Sequence, residues 1–298
     1  MKESTVSSSN PIAPSELIIT EEGRIYHINL KDSDIADDVI VVGDQERVKQ
    51  VSKHFSTIEV KISKREFITH TGFYKGHRIT VLSTGIGTDN IDIAINELDA
   101  AVNIDFTTRK PKEQKRKLNI IRIGTSGSLQ EDIPVDSFVV SSYGLGFDGL
   151  LGFYKTYFED DELALKKAFV EQIKWPNQAN TPYFTKGNSK LINKIGQEMH
   201  KGITATANGF YGPQGRSLRL ATAVPNLNEQ LNSFSFNKHR ITNFEMETSA
   251  LYGLSSLLGH NACTTCAIIA NRFKKEYSKD YKKTVDQLIE VVLERIIA

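Results

Sequence analysis

The chain of 298 residues contains two cysteines, one tryptophan, three methionines and eight prolines. Two cysteines do not make a disulfide framework in a chain this long, so stability has to come from a packed core, and a reducing cytoplasm is the expected location. Excess charge of either sign is also missing, with 37 basic residues against 36 acidic ones. That balance gives no global footprint for nucleic acid or a membrane surface. No apolar run approaches the roughly 20 residues that a spanning helix needs. The opening "MKESTVSSSNPIAPSE" is polar and lacks the apolar stretch of a secretory signal. A short flexible tail over 1–20 is expected, followed by one domain over 21–298.

Hydrophobic residues make up 39% of the chain, enough to build a core. Short apolar runs ending in glycine or polar turns lie at 38–44, 77–87, 119–127, 136–144, 202–207 and 262–271. Helical spacing of apolar residues predicts helices over 45–55, 90–102, 246–259 and 284–297. Strands alternating with helices argue for an α/β layered fold with a mostly buried sheet. One segment breaks the pattern: "TTRKPKEQKRK" (107–117) carries six basic residues and one acid. With no aromatic residues between the charges, it reads as a basic surface insert between a helix and the next strand, not as a nucleic-acid patch. Cys263 and Cys266 form a C-x-x-C inside an apolar, strand-like run. Residues three apart in a strand point to opposite faces, so they read as two core residues. Adding the nearby His260 still leaves a metal site short of ligands, and no metal is expected.

Three strand ends share a glycine design: "VVGDQER", "STGIGTDN" and "IIRIGTSG". Glycines at the carboxyl ends of strands let backbone N–H groups approach an anion. None of the three is a nucleotide-binding G-x-x-x-x-G-K-[ST] loop or a clean G-x-G-x-x-G. Arg122 stands in the third, in the middle of an apolar strand. A buried guanidinium must meet a carboxylate or a bound anion. Arg122 precedes Gly124-Thr125 by two residues, and side chains two apart share a face, so guanidinium and hydroxyl can converge on one ligand. Arg47 and Arg65 are further cations suited to phosphate. In the second half, "NGFYGPQGR" (208–216) offers Gln214 and Arg216 to read a planar polar ligand, with Phe210 or Tyr211 to stack on it. "NFEMETSA" (243–250) places Glu245 and Glu247 around Met246; acids at a helix start suit the dipole, and a carboxylate is also the usual acceptor for a pair of sugar hydroxyls.

In this order, from about Ile25 to the last helix, the motifs resemble the uridine phosphorylase branch of the nucleoside phosphorylase family. "VVGDQERV" resembles its Gly-Asp-x-x-Arg phosphate turn, "REF" its second phosphate arginine, and "STGIG" with "IIRIGTSG" its central signature. "FYGPQGR" resembles the pyrimidine-reading loop, although the Gly-Pro order is unusual, and "NFEMETSA" the ribose-binding Glu-Met-Glu. The resemblance implies a three-layer αβα sandwich with a central mixed sheet. It implies phosphate held by Gly43, Arg47, Arg122 and Thr125, with Arg65 joining from a neighbouring subunit. Ribose would be held by Met246, Glu247 and Thr125, with His27 reaching across from the partner chain. Phe210, Gln214, Arg216 and Arg272 would face uracil. The implied reaction is phosphorolysis of uridine, with Arg122, Arg216, Gln214 and Glu247 as its catalytic set. Inorganic phosphate would be the co-substrate, no cofactor would be used, and the protein would be a homo-oligomer built from a dimer unit, dimer or hexamer. Alternatives within the family are a purine nucleoside phosphorylase and a nucleosidase. A non-catalytic nucleoside-binding protein stands outside it. "AIIANR" places Asn271 where a purine enzyme is expected to carry an acid, which favours a pyrimidine.

Overall fold

Strand β7 (Asn119–Ser128) runs through the middle of the protein, described here from a computed structural model over residues 10–298. Ile120, Ile121 and Ile123 are fully buried on both of its faces, the pattern of a parallel strand between two helical layers. On one side it pairs in parallel with β1 (Asp38–Val42), Asp38 opposite Asn119. On the other it pairs in parallel with β13 (Asn261–Asn271), Asn261 opposite Asn119. Beyond β1 come β4 (His77–Ser83), parallel to it, and then the antiparallel strands β3 (Phe67–Tyr74) and β2 (Thr57–Lys64).

Beyond β13 the sheet curls. It continues through β8 (Phe138–Gly146), β10 (His200–Thr206) and β12 (His239–Glu245). The end of β12 then pairs back onto the end of β7, with Asn243 opposite Ser128 and Phe244 opposite Gly127. Strands β7, β13, β8, β10 and β12 therefore close into a ring inside the larger mixed sheet. The mixed sheet between helical layers is as the sequence leads one to expect. The closure was not legible, because it depends on a non-local pairing that no local pattern encodes.

Helices cover both faces. Val48 and Val51 of α1 (Gln45–Ser52) pack with Val285, Leu288 and Val292 of the C-terminal helix (Tyr281–Ile297) against Ile40, Val42, Ile121 and Ile123. On the opposite face, α2 (Thr88–Asn103) and the helix Thr248–Leu257 bury Ile91, Ile95, Leu98, Leu251 and Leu254 against Val39, Val41 and Ile120. These four are the predicted helices, with ends shifted by a few residues. The helix Asp160–Gln172 was missed because its apolar stripe is short, Leu165, Ala168 and Phe169. It closes an aromatic core around the ring with Phe147, Phe184, Phe234 and Trp175.

Two expectations need correction. The segment 10–20 is not a free tail: Leu17 is buried in the main core, and the backbones of Ile12 and Arg109 bond to each other. Residues 1–9 lie outside the described residues. Nor is 107–117 simply solvated. Arg109 Nε donates to the Ile12 carbonyl at 2.7 Å, Arg116 pairs with Asp32 and Asp37, and Lys112 pairs with Asp32 at 2.7 Å. Half of the cations in the insert thus hold the start of the fold against the sheet. Leu17→Ala should therefore lower unfolding stability by about 2–4 kcal/mol in a urea titration; a free tail would give no change.

Candidate active site

An open cavity of about 1160 Å³ lies over the carboxyl ends of β1, β4, β7, β12 and β13. Its lining includes Gly43, Arg47, Arg122, Thr125, Phe210, Gln214, Arg216, Met246, Glu247 and Arg272, so ten of the sequence-derived residues meet around one space. The parallel strands explain this convergence. The carboxyl ends of β1, β4, β7 and β13 point the same way, and the glycine turns that follow leave room above them, while β12 runs antiparallel to β7 and brings its own end there through the ring closure.

Arg47 sits in the first turn of α1, which Asp44 caps by accepting from Glu46 N at 2.9 Å. Its Nη1 donates to the Ile123 carbonyl at 3.3 Å, while its buried Nε has no partner in the protein. Burial, reinforced by the neighbouring Arg122 guanidinium, pushes the Arg47 pKa below its ordinary value. Both features suit an incoming anion.

Arg122 is buried, as its position among isoleucines required. Its guanidinium folds back along the strand over Gly124. A Cβ at Gly124 would lie 2.0 Å from Arg122 Nη1 and 3.0 Å from Cys266 Sγ, so "RIG" is one unit. The expectation that phosphate is its partner is corrected in one respect: the protein itself supplies carboxylates. Nη2 donates to Glu247 Oε2 and Nη1 lies 3.4 Å from Glu245 Oε2. Burial alone would lower the Arg122 pKa, but the Glu247 and Glu245 charges outweigh it and raise it above the ordinary arginine value. Thr125, three positions on, lies on the opposite pleat and does not share a face with Arg122. Both still line the cavity, because it opens over the end of the strand.

Glu247 begins the helix Thr248–Leu257, and Gly87 N donates to its Oε1 at 2.8 Å. Gly87 has φ +98°, a conformation that L side chains rarely adopt, so this N–H is aimed by a glycine-specific turn. Glu245 is a member of the site that the sequence reading did not assign. It accepts from Glu247 N, from Thr248 N and from the Thr206 hydroxyl. The signal was present, since residues two apart at a strand end share a face.

At the other end, Gln214 is buried and Arg216 Nη1 donates to its Oε1 at 2.5 Å and to the Phe210 carbonyl at 2.7 Å. The Arg216 guanidinium lies 3.9 Å from the centre of the Phe210 ring, which is half exposed at the cavity mouth. Arg272 donates from Nη2 to the Gln214 carbonyl at 3.3 Å, and its buried Nη1 has no partner. Burial and the adjacent Arg272 push the Arg216 pKa down to about 10. Asn271 lines the cavity but is committed to the protein. Its amide donates to the Gln130 and Ile133 carbonyls and its oxygen accepts from Phe273 N and Lys274 N.

His27 and Arg65 are not brought into this cavity. His27 Nδ1 lies 2.6 Å from Glu97 Oε1, and Tyr26 stands between it and the exposed Arg65. These two residues share a surface patch outside the site. Cys263 and Cys266 are free and buried on opposite faces of β13, and burial pushes their thiols up to about 12 and about 11. Neither is an activated nucleophile.

A family model described as Phosphorylase superfamily matches residues 37–298. A uridine phosphorylase of Thermococcus kodakarensis is 33% identical over 270 residues, covering 89% of this chain and 83% of that protein. A DeoD-type purine nucleoside phosphorylase of Buchnera aphidicola is 27% identical over 274 residues, covering 91% and 98%. The crystal structure of a Trypanosoma brucei nucleoside phosphorylase, described as showing uridine phosphorylase activity, is similar with a TM-score of 0.86 and 29% identity, over 94% of this chain and 99% of that one.

The "RIG" unit is testable without any assay of activity. Gly124→Ala should displace Arg122 from its carboxylates and cost about 3–5 kcal/mol in chemical denaturation. Gly127→Ala, whose Cβ would meet nothing closer than 3.7 Å, should cost much less. Equal costs would show that Gly124 is not where Arg122 is accommodated.

Proposed function

The chain belongs to the Phosphorylase superfamily, and we propose that within it the protein is a pentosyltransferase that converts uridine and inorganic phosphate to uracil and ribose 1-phosphate. The observation that carries this reading is the cavity. Arg47 and Arg122 bring cationic N–H groups into it, Gln214, Arg216 and Arg272 form a separate linked set of planar donors and acceptors, and Glu247, bonded to Arg122, lines the same space with Met246. A phosphate oxygen attacks the anomeric carbon while the bond from that carbon to uracil N1 breaks and its electron pair leaves with the base. The transition state has the oxocarbenium character of glycoside cleavage. Arg47, Arg122 and Thr125 hold the nucleophile in line, which removes much of its entropic cost. Glu247 binds the sugar hydroxyls, and its charge favours the developing cation. Gln214, Arg216 and Arg272 face the negative charge that grows on uracil, as an oxyanion hole would.

This reaction needs no cofactor beyond phosphate, and returning a free base and a phosphorylated sugar is the chemistry of pyrimidine salvage. An amide at position 271, committed to four backbone groups, supports a pyrimidine, because the residue at that position cannot protonate a leaving purine. A nucleosidase would gain nothing from arginines at the phosphate end. Two free, buried cysteines fit a cytoplasmic location. We further propose a homo-oligomer in which the patch of His27, Tyr26 and Arg65 enters the cavity of a second copy, His27 towards ribose and Arg65 towards phosphate.

Uridine absorbance followed with and without phosphate tests the reaction: loss only with phosphate is expected, and loss without it would make the protein a hydrolase. If inosine reacted in place of uridine, the purine reading would replace this one. Arg216→Ala should lower kcat by about one to two orders of magnitude, the worth of one charge-assisted hydrogen bond; a change in KM alone would make Arg216 a ground-state contact. For the shared site, reassociating inactive Arg65→Ala chains with inactive Arg122→Ala chains should restore about a quarter of wild-type activity, because half of the dimers then carry one intact site. No recovery would place each site within a single chain.

A further inference from the structure

The side chains assigned to the two substrates are bonded to each other. Arg122, assigned to phosphate, donates to Glu247 Oε2, and Glu247 is assigned to ribose. Both side chains are almost completely buried, so water screens the pair little. The other contacts of the pair are fixed. Gly87 N holds Glu247 Oε1, Glu245 is tied to the N-terminus of its helix, and the Cys266 sulfur lies 3.4 Å from Arg122 Nη1. The contact between Nη2 and Oε2 is therefore the one that each substrate would have to share. A phosphate oxygen that takes an Arg122 N–H weakens its hold on Glu247. A ribose hydroxyl that donates to Glu247 Oε2 weakens the hold of Glu247 on Arg122.

We propose that this ion pair couples the two halves of the site, so that nucleoside and phosphate each increase the affinity for the other. The inference rests on the assignment of Arg122 to phosphate and Glu247 to ribose made above. Coupling of this kind is reciprocal, because binding free energies are functions of state. Glu247 thereby acquires a second role: besides binding sugar, it sets how readily Arg122 is given up to phosphate. Glu66 provides a contrast. It lines the same cavity but is not among the hydrogen-bond and ion-pair partners of Arg122, which are Cys266, Glu245 and Glu247, so it acts on phosphate only through space.

The test is calorimetric titration of the full-length protein with inorganic phosphate, alone and with saturating pseudouridine. The carbon–carbon base–sugar link of pseudouridine leaves no glycosidic C–N bond to break. Wild-type protein should bind phosphate about 5- to 150-fold more tightly with pseudouridine present, the usual range for coupled sites. Glu247→Gln keeps an acceptor for Gly87 N but loses the charge that holds Arg122. It should bind phosphate alone more tightly than wild type and show no further gain with pseudouridine, whereas Glu66→Gln should change phosphate binding much less. Equal wild-type affinities with and without pseudouridine overturn the coupling, as does a Glu247→Gln variant that binds phosphate alone no better than wild type. Either arm decides if the other cannot be measured. No phosphate binding by wild type under either condition overturns the assignment of Arg122 itself, and the coupling with it.

Discussion

A permanent cation in the middle of a buried strand is the constraint around which this protein is arranged. A guanidinium cannot shed its charge, so every face of Arg122 has to be answered. The answers come from distant parts of the chain. Gly124 withdraws its side chain to make room, and Cys266 on the adjoining strand supplies a polarisable neighbour. Glu245 and Glu247 arrive from the end of a strand more than a hundred residues away. The pairing of Phe244 with Gly127 is what brings those two carboxylates to the arginine. Closing the ring and neutralising Arg122 are thus one structural event. A buried ion pair of this kind is a poor source of net stability, since desolvation consumes much of its attraction. Its value lies in specificity of arrangement.

The same closure organises the rest of the cavity. The stem of Arg272 passes beside Gly127, and Arg272 in turn reaches the Gln214 carbonyl. The loop that carries Phe210, Gln214 and Arg216 is thereby tied to the central strands although it follows an outer one. At the opposite end, α1 and the Gly87 turn present backbone and guanidinium donors that the sheet holds at fixed spacing. Repulsion between Arg216 and Arg272, and buried N–H groups of Arg47 and Arg272 with no partner in the protein, give the cavity an unmet cationic character. An anionic phosphate and the carbonyl oxygens of a pyrimidine are the groups that would relieve it.

Much of this was legible in advance. The glycine-ended strands announced a ligand site at the carboxyl edge of a sheet, and ten of the twelve residues carried over from the resemblance line the cavity. His27 and Arg65 do not, because their contacts with Glu97 and Tyr26 keep them in a surface patch outside it. The helix Asp160–Gln172 escaped notice because a short apolar stripe is a weak periodic signal. The anchoring of the insert 107–117 is hidden in the sequence because its partners, Asp32, Asp37 and the backbone near Ile12, are remote along the chain. Asn271 was noticed for the acid it replaces. Its commitment to four backbone groups could not be read from its type.

The sequence by itself determined the α/β class, the strands that end in glycine and the residue types that a phosphate and a polar base would need. These follow from local chemistry: apolar periodicity, glycine conformations and the cost of burying a charge are all properties of short segments. Only the tertiary structure decided who answers Arg122. A lone sequence shows that a buried guanidinium must be paired, but partner choice depends on which strand ends are brought within hydrogen-bond reach. That is set by the closure of β12 onto β7, a contact whose two sides are more than a hundred residues apart.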